Sequence, residues 1–442
     1  MKRNLLKTLF AGLFPTMLVP LTASADVAIN EINFPDENFR NYLLRQDYGR
    51  DGIITDSEIS SITEIRVDEK SIYSLKGIEY FTALTMLTCY RNSLTSLDVS
   101  NNKALTTLSC HTNKLTSLDV SQNTALKGLY CDNNQLTSLN VSQNAALDIL
   151  ACGGNPLTSL DVSKNTALTE LSCNKTLLTS LDVSKNTALK RLYCYDNQFT
   201  SLDVSQNTAL TWLYCYNNPL TSLNVTGCTA LEWLECYSNR LTSLDVSGCT
   251  ALGALYCYDN QLTLLNVSGC TALELLGCNN NQLTSLDVSG CEWLMVLECY
   301  SNQLTSLDVS GCEWLTFVWC YQNQIKGDAM DAFIEGLPYE FVGCKLYVYA
   351  PGDNEGNVCT QSQVAAIKEK RWIPYYYDYD YQQWMEYEGC DDDPSTIDPS
   401  GITKPIVETE NDNTPAYNLS GQKVASAKKG IYIVNSKKVV IK

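Results

Sequence analysis

The sequence repeats itself every 21 residues over most of its length. Twelve units follow one another without insertion from Ala83 to residue 334, and the unit at 104–124 reads ALTTLSCHTNKLTSLDVSQNT. Leu108 and Cys110 are two residues apart, so in an extended segment both point to the same face. One unit of this length cannot enclose its own apolar residues, so neighbouring units must stack and share a core. The repeat therefore predicts a solenoid rather than a set of ordinary globular domains.

The units share the spacing L-x-x-L-x-C-x-x-N-x-L, with single exceptions such as Thr176, and this is the leucine-rich-repeat signature with cysteine at its third apolar position. We expect a parallel β-sheet on the concave face, about 58 Å long for twelve strands spaced at roughly 4.8 Å. Because 21 residues leave no room for full helices, we expect short extended or 3₁₀ segments on the convex side. Asn113 lies where the chain must turn, and its amide can bond backbone groups freed by that turn. Leu115, Leu118 and Val120 should then point inward.

Twenty cysteines would ordinarily predict a disulfide framework in an exported chain. Twelve of them, from Cys89 to Cys320, recur at the buried repeat position. Five more, from Cys228 to Cys312, replace the asparagine that earlier units carry at the Asn123 position. Equivalent Cβ atoms on in-register strands lie about 4.8 Å apart, whereas a disulfide needs about 3.8 Å. The spacing therefore predicts a ladder of buried thiols that act as small hydrophobic residues.

The segment 26–82, before the first repeat, predicts a helical N-terminal cap, because a bare solenoid end would expose its core. Residues 47–58 fit a 12-residue EF-hand loop with Gly52 at the required glycine position, although Gly49 stands where one carboxylate is expected. The candidate calcium ligands are Asp47, Asp51, Thr55, Glu58 and the carbonyl of Ile53. Two interpretations stay open, a low-affinity calcium site and a cap with a vestigial loop. No other cofactor is expected.

Three further segments follow the repeats. Residues 335–388 predict an α/β C-terminal cap, residues 389–415 an acidic linker, and residues 416–442 a β tail with basic edges. The sequence leaves open whether any two of the remaining cysteines pair, and these are Cys344, Cys359 and Cys390.

The first 25 residues predict a signal peptide. Lys2, Arg3 and Lys7 precede an apolar stretch, and Ala23-Ser24-Ala25 is a small-residue cleavage site. This stretch is too short to span a bilayer, and no later segment is long enough. We expect no transmembrane segment and a secreted or cell-surface protein, attached to the outer membrane if the C-terminal tail directs its export.

The charge balance argues against nucleic acid as a partner. The net charge is -18, and the basic residues at both ends leave 22 basic against 49 acidic residues between them. Such a surface repels phosphate backbones and anionic lipid.

The sequence also argues against an enzyme. It has one histidine, His111, with no acidic or nucleophilic partner in its register, so a Ser-His or Cys-His pair is not expected. A second ladder, which runs from Asp98 to Asp308, exchanges Asp freely with Asn. This exchange indicates backbone hydrogen bonding in a turn rather than ion binding.

Aromatic residues flank the inward leucine and cysteine in the middle and late repeats, where they alternate onto the concave face. These candidate ligand-binding residues are Tyr193, Tyr195, Trp212, Tyr214, Tyr216, Trp233, Tyr237, Tyr256, Tyr258, Tyr300, Phe317, Trp319 and Tyr321. Soluble monomers usually avoid such an exposed patch, and Trp and Tyr dominate binding hot spots. The alternative is a stabilising aromatic ladder between neighbouring strands. We favour binding because a ladder does not explain paired tryptophans that face water.

The motif L-x-C-x-x-N-x-L-T-S-L-D-V-S resembles the bacterial internalin family, especially its 21-residue members with a cysteine ladder. The resemblance covers about residues 30–335 and implies a surface adhesin, with virulence as a further implication, that binds host or microbial partners on its concave face. The tail from Tyr417 to Lys442 resembles the end of the sorting domains recognised by type IX secretion. We therefore expect a non-catalytic adhesin for a protein partner with a basic patch, or alternatively a module that stacks glycans on the same rings.

Overall fold

A computed structural model describes residues 26–339, 343–352 and 354–391 and the backbone of four strands near the C-terminus. Those strands, Ala416–Asn418, Lys423–Val424, Gly430–Val434 and Lys437–Ile441, form an antiparallel sheet of their own. The predicted signal peptide and most of the predicted linker lie outside the described residues.

One sheet of sixteen strands runs the length of the solenoid. Twelve of its strands come from the repeats: Met86–Thr88, Thr107–Ser109, Gly128–Tyr130, Ile149–Ala151, Glu170–Ser172, Arg191–Tyr193, Trp212–Tyr214, Trp233–Glu235, Ala254–Tyr256, Leu275–Gly277, Val296–Glu298 and Phe317–Trp319. All are parallel and in register, so that Leu108 pairs with Leu87 on one side and Leu129 on the other. The leucine-rich-repeat solenoid predicted from the sequence is confirmed.

The sheet continues beyond the repeats at both ends. Glu64–Arg66 pairs with the first repeat strand, and Cys344–Tyr349 pairs in parallel with the last. Trp372–Asp378 follows in parallel, and Gln383–Glu386 closes the sheet as an antiparallel strand. The segments outside the 21-residue period therefore add four strands to the twelve expected from the repeat count.

An asparagine in eleven of the twelve repeat turns, with Thr176 in its place in the fifth, holds neighbouring repeats together. The Asn113 amide nitrogen donates to the carbonyls of Cys89 and Cys110, both at 3.0 Å, and its oxygen accepts from the Leu94 N–H at 3.0 Å. One side chain thus satisfies three backbone groups from two repeats. A buried polar group left without a partner costs about 1–3 kcal/mol, which explains why this asparagine recurs along the solenoid. The expectation that the amide bonds the turn is confirmed.

The ladder at the Asn123 position consists of asparagines in the early repeats and of cysteines in the later ones. In the early repeats, the Asn123 amide donates to the carbonyls of Val99 and Asn102, both at 2.9 Å, while its oxygen has no hydrogen-bond partner among the described residues. In the later repeats, Cys228 takes this place and its thiol donates to the Val204 carbonyl at 3.4 Å. The thiol keeps a weak donor and removes the unsatisfied acceptor. The exchange of asparagine for cysteine is therefore a conservative change inside the core.

The convex side is made of turns and short extended pairs. Ser201–Asp203 pairs with Ser222–Asn224, and Ser243–Asp245 pairs with Leu264–Asn266. Each aspartate of the Asp/Asn ladder accepts the N–H two residues ahead, as Asp119 does from Ser121 at 2.9 Å. This hydrogen bond lowers the pKa of the Asp119 carboxyl. The structural role predicted for this ladder is confirmed.

Helix α1 (Glu37–Leu43) leads the N-terminal segment, followed by a 3₁₀ turn at Asp47–Gly49 and helix α2 (Asp56–Ile59). Val27–Ala28 and Ile53–Ile54 form a small antiparallel pair, and a second 3₁₀ turn lies at Ile78–Tyr80. Asp36 caps α1 by accepting the Phe39 N–H at 2.9 Å.

The same Asp36 carboxylate accepts the N–H groups of Tyr73 at 2.6 Å and Ser74 at 3.1 Å. One carboxylate therefore joins the start of α1 to the chain that leads into the first repeat. Phe34, Phe39 and Leu43 are fully buried in the core that continues into the repeats.

Along the chain, helix α3 (Asp328–Gly336) precedes the strand Cys344–Tyr349, and helix α4 (Gln361–Glu369) precedes the strand Trp372–Asp378. Buried Glu355 accepts the N–H groups of Gln322, Ala350 and Asn357 at 2.8–2.9 Å. These bonds tie the end of the last repeat to the strand that follows it. Among the residues that the structure describes, no helix is long and apolar enough to cross a membrane.

All twenty cysteines are buried thiols. Burial raises the pKa of the repeat thiols, to about 12 for Cys110, so their reactive thiolate form is suppressed. The native protein should therefore react very slowly with a thiol reagent, whereas the protein unfolded in denaturant should titrate all twenty. A count of roughly half that number in denaturant would show that the ladder is bridged by disulfides.

Candidate functional site on the concave face

The concave face is built from three outward side chains per repeat. The strand Trp212–Tyr214 directs Leu213 into the core and turns Trp212 and Tyr214 outward, and Tyr216 follows after the buried Cys215. Because the strands are in register, equivalent side chains form columns spaced about 4.8 Å apart. Stacked aromatic rings have their centroids about 4.5–7 Å apart, so aromatic residues at one column position are close enough to stack.

Four tyrosines use this spacing in one continuous stack. The ring centroids of Tyr195 and Tyr216 are 4.5 Å apart, and those of Tyr216, Tyr237 and Tyr258 follow at 4.4 Å each. The rings lie within 9° of parallel. Burial within the stack, aided by the neighbouring phenol Tyr195, raises the pKa of Tyr216 to about 12, so its hydroxyl stays protonated. The aromatic ladder considered as the alternative to binding is therefore present in this column, which we call the tyrosine stack.

The other two columns hold tyrosines in one and the two tryptophans in the other. Tyr193 and Tyr214 stack at 5.2 Å, and Trp212 meets Tyr214 edge to face at 6.5 Å. Trp212 remains 39% exposed. We expected both tryptophans to face water, but Trp233 does so only in part. It is half-buried against Tyr256, with centroids 5.7 Å apart, and its indole N–H donates to Glu235 at 2.8 Å. Its partner in the neighbouring strand is the small residue Ala254, which leaves space for the Trp233 ring beside the sheet.

The remaining predicted residues form a second aromatic group near the C-terminal end. Tyr300 stacks on Tyr321 at 4.5 Å, and Phe317 stacks on Trp319 at 5.7 Å. Tyr347, Tyr375 and Trp384 extend this group, since Trp319 stacks on Tyr347 at 4.8 Å and Trp384 contacts Tyr321 at 5.1 Å. These three residues were not predicted from the sequence, because they lie beyond the 21-residue repeats that identified the columns.

A cavity of about 490 Å³ separates the two aromatic groups. It lies beside the strand Leu275–Gly277, where Gly277 stands in one column and the following Asn279 stands in the tyrosine column. Tyr256, Tyr258 and Tyr300 form its walls, and Glu235 and Glu298 lie on opposite sides of it. The thirteen predicted residues are thus brought together in two groups around a cavity and not in one unbroken surface.

The cavity is acidic. Burial raises the pKa of both Glu235 and Glu298 above the usual glutamate range. Both carboxylates are half-buried, and the Trp233 N–H lowers the pKa of Glu235 only in part. The aromatic pattern in the sequence did not single out Gly277 and Asn279. The signal available was that these two residues are smaller or more polar than Tyr256 and Tyr258 in the preceding repeat.

The EF-hand-like loop is held by its own side chains. Glu58 accepts the N–H and hydroxyl of Thr55 at 2.8 and 2.7 Å and completes a capping box at the start of α2. Asp51 accepts the Ile53 N–H at 3.0 Å, and Asp47 pairs with Arg50 at 2.9 Å.

Calcium would have to displace these contacts before it could bind the loop. Within the described ranges, no three His, Cys, Asp or Glu side chains are placed to hold a metal ion. The loop as described is a helix cap, and calcium binding stays a prediction.

His111 lies on the concave face and stacks on Tyr90, with centroids 4.6 Å apart and rings within 7° of parallel. Its Nδ1 atom is 3.2 Å from the Thr112 hydroxyl. The imidazole is thus part of the same stacking pattern as the tyrosines.

No family model matches the sequence. Internalin J of Listeria monocytogenes is 37% identical over 89 residues, a match that covers 20% of this chain and 10% of that protein. The chain thus spans about a tenth of the length of this curated relative.

The solved structures give a longer match. The functional domain of internalin J from Listeria monocytogenes, which includes a cysteine ladder, is 31% identical with a TM-score of 0.52. That match covers 81% of this chain and 92% of the domain. The internalin InlF of the same species is 25% identical with a TM-score of 0.60, covering 73% of this chain and 99% of that one. A leucine-rich-repeat protein of Leptospira interrogans shares the fold, with 24% identity and a TM-score of 0.52. That match covers 64% of this chain and 85% of the Leptospira protein.

Tyr237 should contribute more to stability than an end member of the tyrosine stack. Tyr237→Ala removes two ring contacts, each worth about 0.5–1.5 kcal/mol, so we expect a loss of about 2 kcal/mol in the free energy of unfolding. Tyr195→Ala, which removes one ring contact from the end of the stack, is the control and should lose about half as much. Urea titration measures both, and equal losses would show that stacking does not carry the difference.

Calcium, if the loop binds it, should protect the loop and leave the repeats unaffected. We expect millimolar calcium to slow proteolysis between Asp47 and Glu58, since a bound ion would hold the loop closed. Asp51→Ala or Glu58→Ala should abolish the protection, whereas Glu37→Gln, outside the loop, should retain it. Identical digestion with and without calcium would leave only the capping role.

Proposed function

This chain belongs to the internalin-like leucine-rich-repeat proteins, and on that basis we propose that it is a non-catalytic adhesin that binds a protein partner through its aromatic concave face. Secretion or attachment to the cell surface is part of the proposal. The observation that carries it is the tyrosine stack with exposed Trp212 beside it.

Stacking prepares the aromatic residues for binding. A protein that orders side chains on association loses about 0.5–1.5 kcal/mol for each one immobilised. The rings of Tyr195, Tyr216, Tyr237 and Tyr258 are already held at 4.4–4.5 Å by their neighbours. They are half-buried, so their edges and hydroxyls face outward. A partner that packs on this row meets a rigid surface that loses little further entropy.

The same geometry favours a protein partner over a glycan. Sugars stack on the faces of aromatic rings, and in the tyrosine stack most faces are covered by the next ring. Trp212 is the most exposed ring of this group, and a single platform gives a glycan little surface. Protein side chains can pack against ring edges and bond tyrosine hydroxyls, which the row offers in number. The acidic groups among the rings suit a partner with a basic patch.

Trp212→Ala combined with Trp233→Ala should weaken partner binding by about 2 kcal/mol or more, a factor of about thirty, because central aromatic anchors carry most of the affinity of an interface. The measurement is binding of the labelled chain to surface proteins of candidate host and microbial cells, beside a glycan array. Binding that is lost when the cell surface is treated with protease, and retained after glycosidase, identifies a protein partner.

The matched control is Trp293→Ala combined with Trp314→Ala. These two tryptophans also stack, with centroids 5.7 Å apart, and are 53% and 45% exposed, but they precede the repeat strands and lie outside the three concave columns. Their removal should leave binding unchanged. Equal loss from both pairs would mean that general hydrophobicity, and not the concave face, is responsible. Unchanged binding in both would place the partner elsewhere on the molecule.

A further inference from the structure

The cavity on the concave face exists because one repeat lacks large side chains in two columns. Gly277 lies between Tyr256 and Glu298 in the sheet register. A Cβ atom added to Gly277 would lie 3.1 Å from the Tyr256 ring, so even alanine would press on that wall. In the next column, Asn279 takes the place of an aromatic residue between Tyr258 and Tyr300. Both neighbouring repeats carry larger residues in these columns, Tyr256 and Tyr258 on one side and Glu298 and Tyr300 on the other, so large side chains bound the space.

The walls of this cavity combine aromatic rings with carboxylates. Tyr256 and Tyr258 lie on one side and Tyr300 on the other. One carboxylate oxygen of Glu235 accepts the Trp233 indole N–H at 2.8 Å. Glu298 lies in the same column three strands further along the sheet. In the part of the chain that the structure describes, neither glutamate forms an ion pair with a lysine or arginine. Burial raises the pKa of both, as expected for carboxylates that lack a compensating cation.

Asn279 adds a buried hydrogen-bond acceptor without a partner to the lining of the cavity. Its side chain lines the cavity and is only 3% exposed. Its carbonyl oxygen is buried and accepts no hydrogen bond from any described residue. Unlike the Asn113 and Asn123 ladders, this asparagine is outside the repeating turn pattern, so the fold does not require it. A buried acceptor without a donor is costly, and it is satisfied most directly by a ligand that brings N–H groups.

We propose that this cavity receives an arginine side chain presented by the protein partner. A guanidinium group is planar and stacks on aromatic faces, and its five N–H donors can reach several acceptors at once. Glu235, Glu298 and the Asn279 oxygen are such acceptors, placed on different sides of the same space. A lysine ammonium is a compact point charge and can serve fewer of them. The proposal rests on the proposed function and adds the chemistry that the partner must present.

The test uses the full chain and three short peptides, acetyl-Gly-Arg-Gly-amide and the same peptide with lysine or with citrulline, the neutral isostere of arginine. Calorimetry at low salt should give a dissociation constant on the order of 1 mM for the arginine peptide, and binding at least about tenfold weaker for citrulline. Equal binding of arginine and citrulline, or no binding of the arginine peptide, would overturn the proposal. Tighter binding of the lysine peptide would overturn the assignment to arginine.

Substitutions locate the peptide. Glu235→Gln and Glu298→Gln keep the shape of each side chain and should each weaken arginine binding by about fivefold or more, because each removes a charge-assisted bond. Glu274→Gln removes the same charge at an exposed position outside the cavity and should change nothing. Gly277→Leu should abolish binding by filling the space. Arginine binding that is equally sensitive to all three glutamates would show attraction to net charge alone and would refute the site.

The two proposals can fail separately. Trp212 does not line the cavity, so Trp212→Ala should keep peptide binding while it weakens partner binding. If partner binding depends on Trp212 but not on Glu235 and Glu298, the arginine site is wrong and the adhesive face stands. If the peptide binds and partner binding ignores Trp212, the site stands and the proposed use of the aromatic face is wrong.

Discussion

Each repeat buries its leucines and its cysteine only against the repeats on either side, and the asparagine found in eleven of the twelve turns makes that stacking precise. The Asn113 side chain bonds the carbonyl of its own repeat and two backbone groups of the preceding one. A slip of one residue would leave these groups unsatisfied in the core, at a cost of about 1–3 kcal/mol for each. Repeated along the solenoid, this penalty keeps the strands in register.

Register in turn decides what the concave face can be. Strands held about 4.8 Å apart bring equivalent side chains to the distance at which aromatic rings stack. Tyr216, Tyr237 and Tyr258 therefore stabilise the sheet by the same contacts that make them a rigid surface. Stability and binding do not compete here, because a ring packed on its neighbours still presents its edge and hydroxyl. The cavity at Gly277 and Asn279 is the position where this regular filling stops.

At the two ends of the solenoid, segments outside the repeats have to cover the terminal strand and the core. A terminal strand leaves backbone groups and core unpaired unless other segments cover them. At one end, the segment that contains α1 contributes the strand Glu64–Arg66 and the buried rings Phe34 and Phe39. At the other, Trp372–Asp378 and Gln383–Glu386 extend the sheet, and Trp384 packs on Tyr321 of the last repeat. The concave aromatic surface therefore continues past the residues that the period identifies.

The sequence alone determined the solenoid, the thiol ladder and the columns of outward residues, because all three depend on a period that is visible in the letters. It also placed the thirteen aromatic residues on the concave face. Only the tertiary structure decided that Trp233 turns toward Glu235, that the rings near Tyr237 stack face to face, and that Gly277 and Asn279 leave an acidic cavity. These features depend on side-chain rotamers and on contacts between different repeats. A 21-residue period fixes which residues are neighbours but not how their side chains share the space between them.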